Sequence, residues 1–163
     1  MKKYIGEFEL GNTVDITDPC YDKNVWCRIT TECKPGTYKC YIDIDDDSER
    51  VASIWIYNDD KYVSVDEISD CIGTIGVDAG LAGFFNNKPD YDDYEWDAFL
   101  RQTGVLEGKD WATVDYGVFS ESGWGDGSYD VFASRNRDAF MIVFMEDDED
   151  EDDDYYEDEE YDY

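Results

Sequence analysis

Three short loops in this chain each set one carboxylate beside a residue that bends the backbone. They are Asp18-Pro19-Cys20-Tyr21, Asp78-Ala79-Gly80 and the glycine-dense Gly123-Trp124-Gly125-Asp126-Gly127-Ser128. Carboxylates converging from three loops could hold a hard cation or hydrogen-bond a ligand, since short oxygen-bearing side chains suit both tasks. The competing reading has each Asp capping its own turn, and in a chain with 43 acids it is the favoured one. Loops fixed on a rigid scaffold are also where binding residues concentrate. The candidate binding residues are therefore Asp78, Gly80, Ser122, Trp124 and Asp126, with Ser122, Trp124 and Asp126 expected at the surface. No metal and no other cofactor is expected.

Other patterns that could carry chemistry fail on spacing. The stretch 123–128 nearly spells a dinucleotide fingerprint, but its third glycine position is Ser128 and a strand follows it. A pyrophosphate site needs a helix N-terminus there. A tight hairpin turn with positive φ at the glycines fits better. Residues 43–49 resemble the start of a calcium-binding helix–loop–helix, yet Ser48 stands where Gly is required and Ile54 where the bidentate Glu belongs. Five cysteines, Cys20, Cys27, Cys33, Cys40 and Cys71, are an odd number, which argues against a closed disulfide framework. The first four are separated by six, five and six residues, too many for one turn to present two thiolates to zinc. Buried reduced thiols are expected instead. There is no histidine, hence no His-based triad and no ordinary imidazole base. Catalysis has little support.

The elements that must position these loops read as strands. Apolar–polar alternation marks residues 4–10 and 14–16 as a first hairpin, and 25–29 with 38–44 as a second, around Pro35-Gly36. In the latter, Tyr38, Cys40, Ile42 and Ile44 share one face. Residues 51–57, apolar on both faces, predict a central strand; 62–65 predict a short edge strand. Residues 71–78 form a strand that 82–85 continue. One helix is predicted over 90–102, acidic at its start and with Trp96, Phe99 and Leu100 on one stripe. Residues 113–120, 129–133 and 139–144 predict a three-stranded meander. The fold class is mainly β: an antiparallel β-sandwich or half-barrel with one packed helix.

Charge separates the chain into two parts. Of 163 residues, 13 are basic and 43 acidic, a net −30. Residues 146–163 hold 14 of the acids and no base, so residues 1–145 carry 29 acids against 13 bases, a net −16. The first part is expected to be one β-rich domain. The second is expected to be a disordered acidic tail, because a block of like charge cannot offset its ordering entropy by burial. A surface this acidic argues against direct nucleic-acid or anionic-membrane binding by counterion release. The tail is also too sparsely charged to imitate a duplex. Without an apolar run of signal-peptide or membrane-spanning length, a cytoplasmic location is expected.

In order along the chain, TDPCY (17–21), WC (26–27), KPGTYKCYI (34–42), RVASIWI (50–56), IGVDAGLAGFF (75–85) and FSESGWGDGSYDVFA (119–133) resemble an uncharacterised bacterial and bacteriophage family, a domain of unknown function. The resemblance covers residues 10–145. Glu121 between two serines is a departure from the family's serine doublet, and the acidic tail lies outside the pattern. The resemblance implies a β-rich domain and no particular activity. Together these features point to a non-enzymatic acidic binding protein of phage or mobile-element origin. It would engage a basic host protein such as a nuclease or defence factor, with inhibition as the expected consequence. The alternatives are a small-molecule or divalent-metal domain, conceivably hydrolytic, built from the Asp loops, and an immunity protein for a basic toxin.

Overall fold

Alternating apolar residues build two antiparallel sheets whose inner faces meet. The computed structural model describes residues 1–145; the acidic segment 146–163, expected to be disordered, lies outside the described residues. Strands β1 (Lys2–Leu10), β4 (Gly36–Ile44), β5 (Val51–Asn58), β6 (Asp70–Val77), β10 (Gly127–Ala133) and β11 (Ala139–Val143) form a six-stranded sheet in the order β1-β4-β5-β11-β10-β6. Strands β2 (Thr13–Thr17), β3 (Ile29–Glu32), β7 (Leu81–Phe85), β8 (Trp111–Val114) and β9 (Gly117–Glu121) form a five-stranded sheet ordered β3-β2-β7-β9-β8. Tyr38, Cys40 and Ile42 point together into the space between the sheets, where they meet Ile16, Phe84, Val118 and Phe140. All seven are fully buried. The fold is mainly β with one helix, and β5 is an interior strand.

Both long sides of the sandwich are bridged. At one, Thr113 Oγ1 of β8 donates to the Ile5 carbonyl of β1 at 2.8 Å, beside a register shift in β1. At the other, the free edge of β6 is covered by the loop 18–28, with Gly76 N donating to Cys27 O at 2.9 Å. Gly76 allows that approach, since a Cβ there would lie 3.1 Å from Cys27 Sγ.

Helix α1 (Asp93–Gln102) lies against the outer face of the five-stranded sheet. Asp92 accepts from Glu95 N at 2.8 Å while Glu95 accepts from Asp92 N at 3.1 Å, a reciprocal cap that starts the helix three residues later than its acidic run suggests. Phe99 is buried and lies 5.3 Å from Phe119, ring to ring; Trp96 and Leu100 flank it half-buried. No helix among the described residues is long and apolar enough to cross a membrane.

Five local expectations need correction, for one shared reason. Alternation reports which face of a strand is buried, not which strand lies beside it. The first hairpin does not exist: β1 and β2 belong to different sheets. Pro35-Gly36 likewise joins β3 to β4 across the core rather than within one sheet. Residues 82–85 do not continue the strand over 71–78, since β6 and β7 lie in different sheets. The stretch 113–120 is two strands folded at Asp115-Tyr116, with Val114 paired to Gly117. The glycine-rich segment after β9 then crosses between sheets instead of turning a hairpin, so of the joins predicted in the meander only the one between β10 and β11 is a hairpin. Of the strand predicted over 25–29 only Ile29 is in a strand, as the first residue of β3, and the edge strand predicted over 62–65 is absent. Residues 25–28 belong to a turn-rich loop, and Val65–Glu67 is a 3-10 turn in which the Ser64 backbone N–H donates to the Glu67 side chain.

Candidate functional site

The three Asp-bearing loops do meet at one end of the sandwich, but through backbone rather than through a ring of carboxylates. Asp18 is wholly buried. Its Oδ1 accepts from Cys20 N at 2.9 Å, closing its own turn. Its Oδ2 accepts from Asp78 N at 2.9 Å and Ala79 N at 2.6 Å, tying that turn to the loop between β6 and β7. Burial raises the Asp18 carboxyl above its ordinary range, against the pull of the three N–H groups. Turn-capping and loop convergence are thus the same interaction.

Gly80 makes the next link. Its carbonyl accepts from Ser122 N at 3.0 Å, which joins the second loop to the third. Ser122 is not at the surface as expected: it is 1% exposed, and its Oγ donates to Gly125 O at 2.7 Å. The same carbonyl accepts from Tyr129 OH at 2.7 Å. A hydroxyl in so tight a turn is drawn inward to satisfy a carbonyl that the turn would otherwise strand. Gly123 beneath it has φ 67°, and a Cβ there would stand 2.8 Å from Val51 O. Gly80 and Ser122 are accordingly frame residues. Asp78, Trp124 and Asp126 are the members of the set that face solvent.

Trp124 is 65% exposed on this frame. The Arg50 guanidinium lies 5.8 Å from its ring centroid while Nη1 donates to Gly123 O at 2.9 Å. One arginine therefore fixes both the backbone under the indole and a face of the ring.

A second tryptophan on the same rim was not among the expected site residues. Trp26 is 91% exposed in the loop 18–28. That loop is held from below at several points. Arg28, its side chain 3% exposed, places Nη2 3.2 Å from Asp15 Oδ2 and donates through Nη1 to Tyr21 O at 3.2 Å. Asp15 also accepts from Thr30 Oγ1 at 2.8 Å and Lys88 N at 3.0 Å. Lys23 N donates to Asp90 at 2.8 Å. Cys27 pairs with Gly76, and Gly76 pairs with Ser128, so Cys27 and Ser128 lie two strand spacings apart, about 10 Å. Trp26 was missed because the alternation over 25–29 reads as a strand; the one signal against that is the polar run Asp22-Lys23-Asn24 just before it.

Asp18, Asp78 and Asp126 do not form a cation site. Among the described residues no group of three His, Cys, Asp or Glu side chains gathers to hold a metal ion. Asp18 in particular has both oxygens occupied by N–H donors. The five cysteines are all free thiols, Cys33 and Cys40 buried and Cys71 exposed. Burial pushes the Cys33 thiol up to about 11. What the rim can do chemically is present two indoles and two carboxylates on fixed backbone.

No family model, no curated protein and no solved structure matches this chain. The resemblance to the bacterial and bacteriophage family rests on its motifs alone.

Proposed function

We propose that this chain is a non-enzymatic binding protein that engages a protein partner with a basic surface through its three-loop rim. In keeping with the motif resemblance, the proposal extends to a phage or mobile-element origin and to inhibition of a host nuclease or defence factor. One observation carries it: Trp26 and Trp124 are exposed at 91% and 65% on loops whose backbone is fixed by part-buried hydrogen bonds. Indoles held rigidly at a surface lose little entropy on burial, and Trp is prominent among residues that dominate interface energies. The net −16 of residues 1–145 would steer a cationic partner and raise the association rate more than the affinity.

The test compares affinity capture from lysate by the full chain and by its Trp26→Ala/Trp124→Ala variant at two salt concentrations. Both substituted side chains are surface-exposed, so the variant should melt like the parent. The expected result is at least one basic protein held by the parent, absent from the variant, and recovered less as salt rises. Identical capture by both proteins would sink the assignment of this rim.

A further inference from the structure

The outer face of the six-stranded sheet carries a feature unrelated to the rim. Cross-strand pairing sets Tyr4 of β1, Tyr41 of β4, Trp55 of β5 and Met141 of β11 in one row. Tyr57 follows Trp55 two residues on along the same face. Tyr41 stacks on Trp55 and on Tyr57, each at 5.8 Å between centroids, with planes within 15° and 8°. The segment between β5 and β6 lies across this face, burying Val63 and Ile68 against Trp55, Tyr57 and Ala139. It leaves beside itself a cleft of about 370 Å³, within the range of small-molecule sites. Tyr62, 70% exposed and edge-on to Tyr57, forms one wall. Ser64, Asp66 and Lys2 also line the cleft.

The lining decides what fits. An apolar ligand would cut off from water the Tyr41 and Tyr57 hydroxyls, which have only the long bond to each other, and the Ser64 hydroxyl, which has only Glu67, and polar groups buried with so little pairing are costly. The Tyr41 and Tyr57 hydroxyls are 3.4 Å apart, and burial pushes Tyr57 up to about 12, so it stays a neutral donor. A small cation would compete with the Lys2 ammonium, already 5.9 Å from the Trp55 ring centroid. An anion would meet Asp66 and the net negative charge of the whole molecule. A neutral ligand with one apolar face and a rim of hydroxyls meets none of these objections. Its C–H face would lie on the exposed Tyr62 ring while its hydroxyls pair with the phenols, the Asp66 carboxylate and the Lys2 ammonium.

We infer that this cleft is a binding site for a neutral saccharide stacked on the exposed ring of Tyr62, above a floor of Tyr41 and the buried Trp55 and Tyr57. Asp66 accepts from its hydroxyls and Lys2 donates to them. The site is independent of the three-loop rim and of any protein partner there.

The experiment titrates the full chain with neutral tetrasaccharides of glucose, xylose, mannose and N-acetylglucosamine, read by ligand-observed saturation-transfer NMR. Tetramethylammonium, indole and inorganic phosphate serve as cationic, apolar and anionic probes. At least one tetrasaccharide should saturate with a Kd in the millimolar range or tighter, below about 10 mM. Tyr62→Ala should weaken it about tenfold or more, Tyr62→Phe should largely retain it, and Trp124→Ala should leave it unchanged. The inference is overturned if no tetrasaccharide saturates, if Tyr62→Ala binds as the parent does, or if one of the three small probes binds more tightly than every saccharide.

Discussion

The two exposed tryptophans reach the same rim by opposite means. Trp26 sits on a long loop held by buried charge: the Arg28–Asp15 pair lies beneath it, and Asp18 and Asp90 accept from its backbone. Trp124 sits on a short loop held mainly by glycine geometry and neutral hydrogen bonds, with Ser122 and Tyr129 both donating to Gly125 O and Arg50 adding a single charge at Gly123 O. A long loop has many backbone groups to satisfy, and ionised acceptors satisfy several each. A short loop has few such groups, but it must pass where no Cβ fits. The first arrangement is vulnerable to losing one charge of a pair; the second is vulnerable to gaining a single carbon.

The largest effect should come from breaking the charged arrangement. Asp15→Ala leaves the Arg28 guanidinium and Lys88 N without their shared acceptor in a buried place and takes a partner from the exposed Thr30 hydroxyl. Removing one partner of a buried ion pair costs about 3–5 kcal/mol. Urea unfolding should show that loss, and trypsin should cut the folded variant faster after Lys23 or Arg28. The double variant Asp15→Ala/Arg28→Met should recover part of the stability, because it removes the stranded charge as well. If the double variant is no better than the single one, charge is not what holds the loop.

The glycine-held loop should respond less. Gly123→Ala places a Cβ 2.8 Å from Val51 O at φ 67°, a strain of about 1–3 kcal/mol. Gly125 also has positive φ, 97°, but open space around it. Gly125→Ala should therefore shift the urea midpoint less than Gly123→Ala, and equal shifts would show that φ alone sets the cost.

These two loops also mark how far the sequence could be read. Strand content, the single helix and the inward row of Tyr38, Cys40 and Ile42 follow from periodicity, which is a local property. Glycines with positive φ at 123 and 125 follow from composition for the same reason. Sheet membership was not legible: β9 and β10 look like hairpin partners because the residues that assign them to different sheets are their neighbours β7 and β6, distant in the chain. The convergence of the Asp18 and Asp78 loops was only a possibility in the sequence, since Asp18 reaches sixty residues along the chain to the Asp78 backbone. Ser122 was misplaced because its partner is a carbonyl three residues on, and a hydroxyl beside a glycine reads equally well as solvent-facing.

The smallest predicted effect probes the balance at Asp18, where the two kinds of support meet. Three N–H donors favour its charged form, and a carboxylate so bonded can ionise well below the usual range. Complete burial opposes ionisation and outweighs the donors, leaving the carboxyl raised. A raised carboxyl means that the folded chain keeps this proton where the unfolded chain, near about pH 3.9, releases it. Its contribution to stability is then full below the unfolded value and declines as pH rises through the folded one. The other acids titrate over the same window, so the comparison must be with Asp18→Asn, which retains every other charge. Asn cannot ionise and offers one acceptor oxygen to the three donors, so the parent should melt higher at every pH. That advantage should be greatest near pH 3 and shrink by about pH 6, by a few degrees or less. An advantage that grows with pH would mean that the hydrogen bonds outweigh burial, and that Asp18 holds its two loops as a fully paired anion.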